Sequence, residues 1–472
     1  MALQLNQELQ NKNKYSHLEI SILKYSDAMK DNDSKRIDSE FFKKEYLGNN
    51  SFHTVMIKNI AFVSDGDHSK FPENQLAEVR YYQAKDIKDN FIQQDTEHAV
   101  FVSKDYFDKN ERSHIFEENV LISIMGNVGD IAITPKGFKP AMCNRAIAIL
   151  KDIRGINPYY LFSYLLTNNA TIQIERNTNG GVQQRINLEV LKQIKIPLFP
   201  LSFQQQIEQM VKESHLCLEQ SKALYCEAEV LLYRELGLDP ENPLASIETL
   251  SGSLNISVRT LKESFLATGR LDSEYYQQKY DEIERIIKNY RGGYFQLSLS
   301  ELRDKNFTPQ AQTKYRYIEL ANIGANGNIS EPIVDFGENL PSRARRIVKT
   351  GDMIMSSVEG SLQSCALITD EFNDCIVSTG FYVLKSSNLN SETLLVLFKS
   401  KLFQDYLHKF SSGTILTAIS KDELQNIVIP KIAIELQTQI AEKIKQSFTL
   451  RQKANELLQT AKQSVENAIE KG

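Results

Sequence analysis

At 472 residues the chain is too long for one ordinary domain, and roughly three folding units are expected. Hydrophobic residues at 41% and charged residues at 24% fit a soluble globular protein, and a net charge of −5 confines any nucleic-acid contact to local basic faces. The five cysteines are odd in number and form no Cys-x-x-Cys, so they indicate neither a disulfide framework nor a zinc site and fit a reducing cytoplasm; no apolar run approaches the ~20 residues of a membrane span, and the first residues lack the core of a signal peptide.

Residues 1–17 form a polar lead-in. From residue 18 the sequence recurs. Leu18-Glu19-Ile20-Ser21-Ile22 returns as Leu254-Asn255-Ile256-Ser257-Val258. Arg36-Ile37-Asp38-Ser39-Glu40-Phe41-Phe42 returns as Arg270-Leu271-Asp272-Ser273-Glu274-Tyr275-Tyr276. Arg80-Tyr81-Tyr82-Gln83-Ala84 returns as Arg316-Tyr317-Ile318-Glu319-Leu320, and Leu191, Ile194, Ile196 and Pro197 return as Leu424, Ile427, Ile429 and Pro430. The offset drifts only from 236 residues at Leu18 to 233 at Pro197, which is the mark of a tandem duplication. The expected order is a globular domain at 18–200, a long helix at 201–236, a Gly/Pro/Ser linker at 237–253, a second domain at 254–433 and a second long helix at 434–472. The fold class is α+β: two copies of a mixed α/β domain, each followed by a long helix.

Inside the first copy, Asn119 to Thr134 alternates around Gly126-Asn127-Val128-Gly129 and predicts a β-hairpin, with another strand at Ala146 to Leu150. Asn157-Pro158 predicts a helix start, Asn as cap and Pro in the first turn. The second copy offers strands at Asp352 to Ser357, Cys365 to Thr369 and Phe381 to Leu384, a turn at Glu359-Gly360, and a helix start at Asn390-Ser391.

The two long helices are expected to pair. Residues 201–236 lack Pro over their whole length, and Ile207, Met210, Ser214, Cys217, Ser221, Leu224, Ala228 and Leu231 follow at steps of three and four. Val211, Leu218, Tyr225 and Leu232 form a second row. A face this long needs a partner, and residues 434–472 supply one through Ile440, Ile444, Leu450, Ala454, Leu457, Leu458, Ala461, Val465 and Ala468. A small residue at every seventh position (Ser214, Ser221 and Ala228; Ser447, Ala454, Ala461 and Ala468) lets two backbones approach. The expectation is an antiparallel coiled coil within one chain; two separate amphipathic helices are the alternative.

Catalytic signals are few. Asn157-Pro158-Tyr159-Tyr160 is like the Asn-Pro-Pro-Tyr of amino-group DNA methyltransferases, but it lacks the second Pro and any preceding Gly-rich cofactor loop, and a helix cap explains it. No phosphate-binding GxxxxGK[ST] loop occurs and the histidines are scattered, so no catalytic residue, metal site or bound cofactor is expected. The repeated Asp-Ser-Glu-aromatic-aromatic stretch reads as a packing corner. Polar and basic loop residues remain: Arg80, Lys85, Asn127, Arg145, Gln183, Gln184 and Arg185 in the first copy, with Asn144 beside them, and Arg316, Arg343, Arg345, Arg346, Ser357, Ser412 and Thr414 in the second, with Lys349 and Thr379. Gln can bond adenine two-handedly and Arg guanine, while Lys and Arg elsewhere hold phosphates. A solvated charged face is the competing explanation for any one of them, and it weakens where both copies place different polar groups in the same loop.

The whole pattern resembles the specificity subunit of type I restriction–modification systems. The resemblance is carried by Ile196-Pro197-Leu198-Phe199-Pro200-Leu201 with Gln204, Gln205, Gln206 and Ile207, by Ile429-Pro430 with Leu436, Gln437, Gln439 and Ile440, and by the hairpin Gly126 to Ala132. Phe199 and Ile432 stand where that family often has Pro, and the second hairpin around Glu359 departs from the pattern. The resemblance implies two target recognition domains separated by an antiparallel helix pair, each reading one half of a split double-stranded DNA target. A rod of roughly 50 Å would span on the order of fifteen base pairs. It further implies a non-catalytic cytoplasmic subunit that docks two methyltransferase subunits, which use S-adenosylmethionine, and through them restriction and translocase subunits, which use ATP and magnesium. A degenerate adenine methyltransferase and a tandem protein-binding scaffold are the competing functions.

Overall fold

The computed structural model describes residues 23–29, 35–43, 52–69, 78–88, 90–93, 99–126, 128–177, 185–245, 247, 256–298, 301–303, 305–412 and 417–471. The repeat at Leu18–Ile22 and the candidates Asn127, Gln183, Gln184 and Thr414 lie outside them. The chain forms two compact units, Met1–Leu216 with Lys453–Gly472, and Cys217–Gln452.

The first unit contains two four-stranded sheets. One orders its strands Val100–Val102, Val79–Tyr82, Ala141–Cys143, His114–Ile115; the other orders Phe62–Asp65, Ile147–Lys151, Val120–Ser123, Ile131–Ile133. Tyr81 and Tyr82 pair in parallel with Met142 and Cys143. Alternation along these strands sends Tyr82 and Cys143 into one apolar cluster and Tyr81 and Met142 into another. The predicted hairpin is present, as strands Val120–Ser123 and Ile131–Ile133.

The second unit repeats this plan. Its four-stranded sheet orders Ile333–Phe336, Lys314–Ile318, Ile376–Ser378, Ala344–Ile347, again with one parallel pair, Tyr317 and Ile318 on Ile376 and Val377. Ile318 and Val377 enter one cluster, Tyr317 and Ile376 another. The other sheet has three strands, Cys365–Leu367, Met353–Ser356 and Phe381–Leu384. In each unit a short strand ending in the Ile-Pro signature closes the domain: Lys195–Pro197 pairs with Thr54–Met56, and Val428–Pro430 with Tyr294–Gln296. The duplication seen in the sequence is therefore a duplication of strand order and register.

The repeated Arg-x-Asp stretch is a packing corner in both units. Asp38 takes the Arg36 guanidinium through Nε and Nη2 and accepts from the Phe41 amide; Asp272 does the same with Arg270 and the Tyr275 amide. Each arginine also donates to a carbonyl at or just past the end of a helix, Arg176 or Lys409, where a cation suits the helix dipole. The Arg36 guanidinium holds the Asp38 carboxyl down at about 2.

Each domain is tied to its long helix by one buried glutamine. Gln204 accepts from the Asn157 amide (2.8 Å) and donates to the Phe199 carbonyl (2.8 Å). Gln437 accepts from the Asn390 amide (2.7 Å) and donates to the carbonyls of Asn388 (3.0 Å) and Ile432 (2.9 Å). The two asparagines cap the helices Pro158–Leu165 and Ser391–Lys399.

The long helices run Leu201–Glu235 and Ile434–Glu470. Gly237, at φ 72°, ends the first: its amide donates to Arg234 and that of Leu238 to Tyr233, which satisfies the last carbonyls. In the first unit Ser214 Oγ donates to the Ala454 carbonyl (2.6 Å), flanked by a Lys453–Glu213 ion pair. In the second, Ser447 Oγ donates to the Ser221 carbonyl (2.7 Å), flanked by Lys443–Glu227. Residue numbers rise on one helix as they fall on the other, so the pair is antiparallel. The seam differs from the one read off the sequence. The buried series is Ile207, Val211, Ser214, Leu218, Ser221, Tyr225, Ala228 and Leu232; Met210, Leu224 and Leu231 sit half-buried beside it. On the other helix Leu450, Leu457 and Ala468 are likewise half-buried. The physical reason is close approach. Small residues of one expected row alternate with large residues of the other, so each wide layer is followed by one where backbones and hydroxyls touch.

Candidate nucleic-acid interface

Three chain segments meet at one end of the first unit's second sheet. The Ile124 amide donates to the Ala146 carbonyl (2.8 Å), and the Ile186 amide donates to the Ile124 carbonyl (3.3 Å). Ile124 begins the hairpin tip, Ala146 ends the Asn144-Arg145 turn, and Ile186 closes the loop that contains Gln183 to Arg185. Gly126 and Gly129 reverse the tip at φ 83° and 97°, a region that side chains disfavour. A fourth segment is drawn in by Gly66: a Cβ there would stand 2.3 Å from the carbonyl oxygens of Cys143 and Asn144. That approach lets the Asp67 amide donate to Cys143 and the Arg145 amide to Asp67. Burial pushes the Asp67 carboxyl up, and hydrogen bonds from Tyr106 and Ser69 outweigh it and hold the group below its ordinary value.

The second unit has the same junction. The Ser357 amide donates to Gly380 (2.9 Å), and the Ile419 amide to Ser357 (2.8 Å). Ile124 and Ser357 are 233 residues apart, as are Ile186 and Ile419. By this register Arg145 corresponds to Thr379, Gly126 to Glu359 and Arg185 to Ala418. The junction is shared in backbone and different in side chains.

The candidates divide accordingly. Arg145 and Arg185 are exposed at the first junction. Ser357 lies in the second, its hydroxyl on the Gly380 carbonyl, and Ser412 is exposed on the short ribbon Ser411–Ser412 with Ala418–Ile419 beside it. Arg343 is exposed, and its carbonyl receives the Thr379 amide. Lys85 is exposed on the turn Ala84–Asp86. The other arginines are engaged in the fold. Arg80 is buried, donating to the carbonyls of Tyr81 and Val100 and to Asp86 (3.3 Å), with its guanidinium 4.6 Å from the Tyr82 ring centre. Arg316 donates to the Asn373 carbonyl, Arg345 to Ser342 and Thr308, and the buried Arg346 to Phe381. Sequence reading missed the ladder through Ile124 and Ile186, because apolar residues in loops carry no motif.

The opposite end of the same sheet is acidic. Strands Val120–Ser123 and Ile147–Lys151 run between the junction and a cleft of about 750 Å³ whose lining includes Asp108, Glu111, Glu117, Glu118 and Asp152. A polyanion is therefore repelled from one end of this sheet and can approach the other.

Asn157 cannot bind a target amine as a methyltransferase asparagine does. Its Oδ1 accepts from the Tyr159 and Tyr160 amides, and its Nδ2 donates to Glu208. Among the described residues no group of three or more His, Cys, Asp or Glu could hold a metal ion, and no helix is long and apolar enough to cross a membrane.

Comparison with known proteins bears on the whole site. Residues 49–222 match the family model described as the type I restriction modification DNA specificity domain. The chain is similar to the type I restriction enzyme MjaVIII specificity subunit of Methanocaldococcus jannaschii, with 21% identity over 76% of this chain and 80% of that one. Among solved structures it is similar to the type I restriction–modification S subunit from M. genitalium, with 13% identity, a TM-score of 0.36, and coverage of 90% of this chain and 96% of that one. The HsdS subunit from Thermoanaerobacter tengcongensis aligns with 15% identity, a TM-score of 0.29, and coverage of 89% and 96%.

Proposed function

We propose that this chain, which belongs to the type I restriction–modification DNA specificity family through residues 49–222, reads a two-part DNA target with one domain per half-site. The supporting observation is the repeated junction: two equivalent backbone ladders, 233 residues apart, carry different polar groups. A shared framework with divergent tips is what two readers of different sequences require. Proposed contacts are the exposed members of the candidate set, Lys85, Arg145, Arg185, Arg343 and Ser412, with Ser357, and with Asn127, Gln183, Gln184 and Thr414 from outside the described residues. Arg80, Arg316, Arg345 and Arg346 support the fold behind them.

The chain acts as a specificity component and leaves catalysis to its partners. The family is one of specificity domains, and the asparagine that resembled a catalytic one caps a helix. The duplicated joint at Gln204 and Gln437 gives two like surfaces, which suits two copies of one methyltransferase subunit, with restriction and translocase subunits attached through them. Such an assembly works on DNA in the cytoplasm. Mapping methylated adenines in cells with and without this chain tests the reading. An asymmetric two-part motif that disappears on deletion supports it; methylation that persists unchanged contradicts it.

A further inference from the structure

The equivalence of the two junctions allows their side chains to be compared position by position. Arg145 precedes Ala146, whose carbonyl receives Ile124; Arg185 precedes Ile186, whose amide donates to Ile124. One residue thus joins the backbones that carry both arginines. With ladder spacings of ~4.8 Å, their attachment points lie about 10 Å apart, on the order of three base-pair steps. Both side chains are exposed, and neither guanidinium makes an ion pair or hydrogen bond among the described residues. Arg80, Arg316, Arg345 and Arg346 each bond protein groups instead. At the corresponding places the second unit has Thr379 and Ala418, which cannot fork onto the O6 and N7 of guanine. Its exposed Arg343 enters from a neighbouring segment, so its reach is to a different step.

We propose that Arg145 and Arg185 each read a guanine in the half-site bound by the first unit, and that the second half-site lacks guanine readout at the two corresponding steps. This rests on the half-site reading above. Phosphate contact is the alternative for either arginine, and it predicts a different result, since a phosphate carries no sequence.

The test uses the chain assembled with its methyltransferase. The wild type, Arg145→Gln, Arg185→Gln and Thr379→Arg are compared by sequencing methylated positions across a random DNA library. Each Arg→Gln change should relax one G·C pair of the same half-site, lowering its preference about 5- to 100-fold, with the other half-site unchanged. Thr379→Arg should add a guanine preference to the second half-site only. An unchanged motif with uniformly weaker methylation, relaxation at an A·T pair, or relaxation in both half-sites overturns the assignment while leaving two-part reading intact. A wild-type complex with no two-part motif overturns the half-site reading itself.

Discussion

The two units agree where the chain must hold together and differ where it must choose. The Gln204 and Gln437 joints make equivalent bonds to a helix-capping asparagine, and the Asp38 and Asp272 corners hold their arginines alike. The junctions share a backbone ladder too, but Arg145 faces Thr379 across the duplication, Gly126 faces Glu359 and Arg185 faces Ala418. Hydrogen bonds among backbone groups constrain register and leave the side chains at the tips unconstrained. A duplicated fold can therefore keep its frame and acquire two specificities.

The largest effect should come from breaking the frame. Replacing Gln437 with Leu leaves the Asn390 amide and two carbonyls without a partner in a buried place, and should cost about 2–4 kcal/mol. Gln204→Leu should cost somewhat less, because it strands one amide and one carbonyl. Urea unfolding of the full chain measures both, and equal, negligible costs would show that the joint does not hold domain to helix. Ser221→Leu should cost ~1–3 kcal/mol by forcing apart the helices where Ser447 bonds the Ser221 carbonyl.

A smaller change should separate the units. Gly66→Ala pushes a methyl against the carbonyls of Cys143 and Asn144 and shifts the Arg145 turn. It should blur one half-site of the methylation motif and leave the other sharp; equal loss in both would contradict independent junctions. The smallest effect is a pH dependence confined to the second unit. Burial pushes the half-buried Glu229 carboxyl from its ordinary 4.5 up to about 7. A raised acid is easiest to accommodate when protonated, so stability is fully present below about pH 4.5 and falls as pH rises through 7. Glu229→Gln should remove that slope, on the order of 1 kcal/mol after solvent screening. A slope that survives the change assigns it to another group.

Much of this was legible in the sequence because duplication multiplies weak signals. The Ile-Pro strand, the capping asparagines and the small residues on the long helices each recur 233 or so residues later. The exact seam was not legible. Two apolar rows satisfied the same heptad, and only packing shows that Val211, Leu218, Tyr225 and Leu232 fill the layers between Ser214, Ser221 and Ala228. Nor could the sequence tell an arginine at a tip from one in the fold. Arg80 recurs as Arg316 and looked like a reader; it is buried because Asp86 and the Tyr82 ring receive it. Asn322 stands in place of Asp86 in the second copy, and Arg316 turns to the Asn373 carbonyl instead.

The claim that each junction meets its own half-site can be tested with a photo-crosslinking residue placed at Met125 or at Val358, on the two equivalent tips, in the complex assembled on end-labelled target DNA. A probe at 125 should attach to one half-site alone and a probe at 358 to the other alone. Attachment of both probes to the same half-site, or indifference to the target sequence, would contradict it.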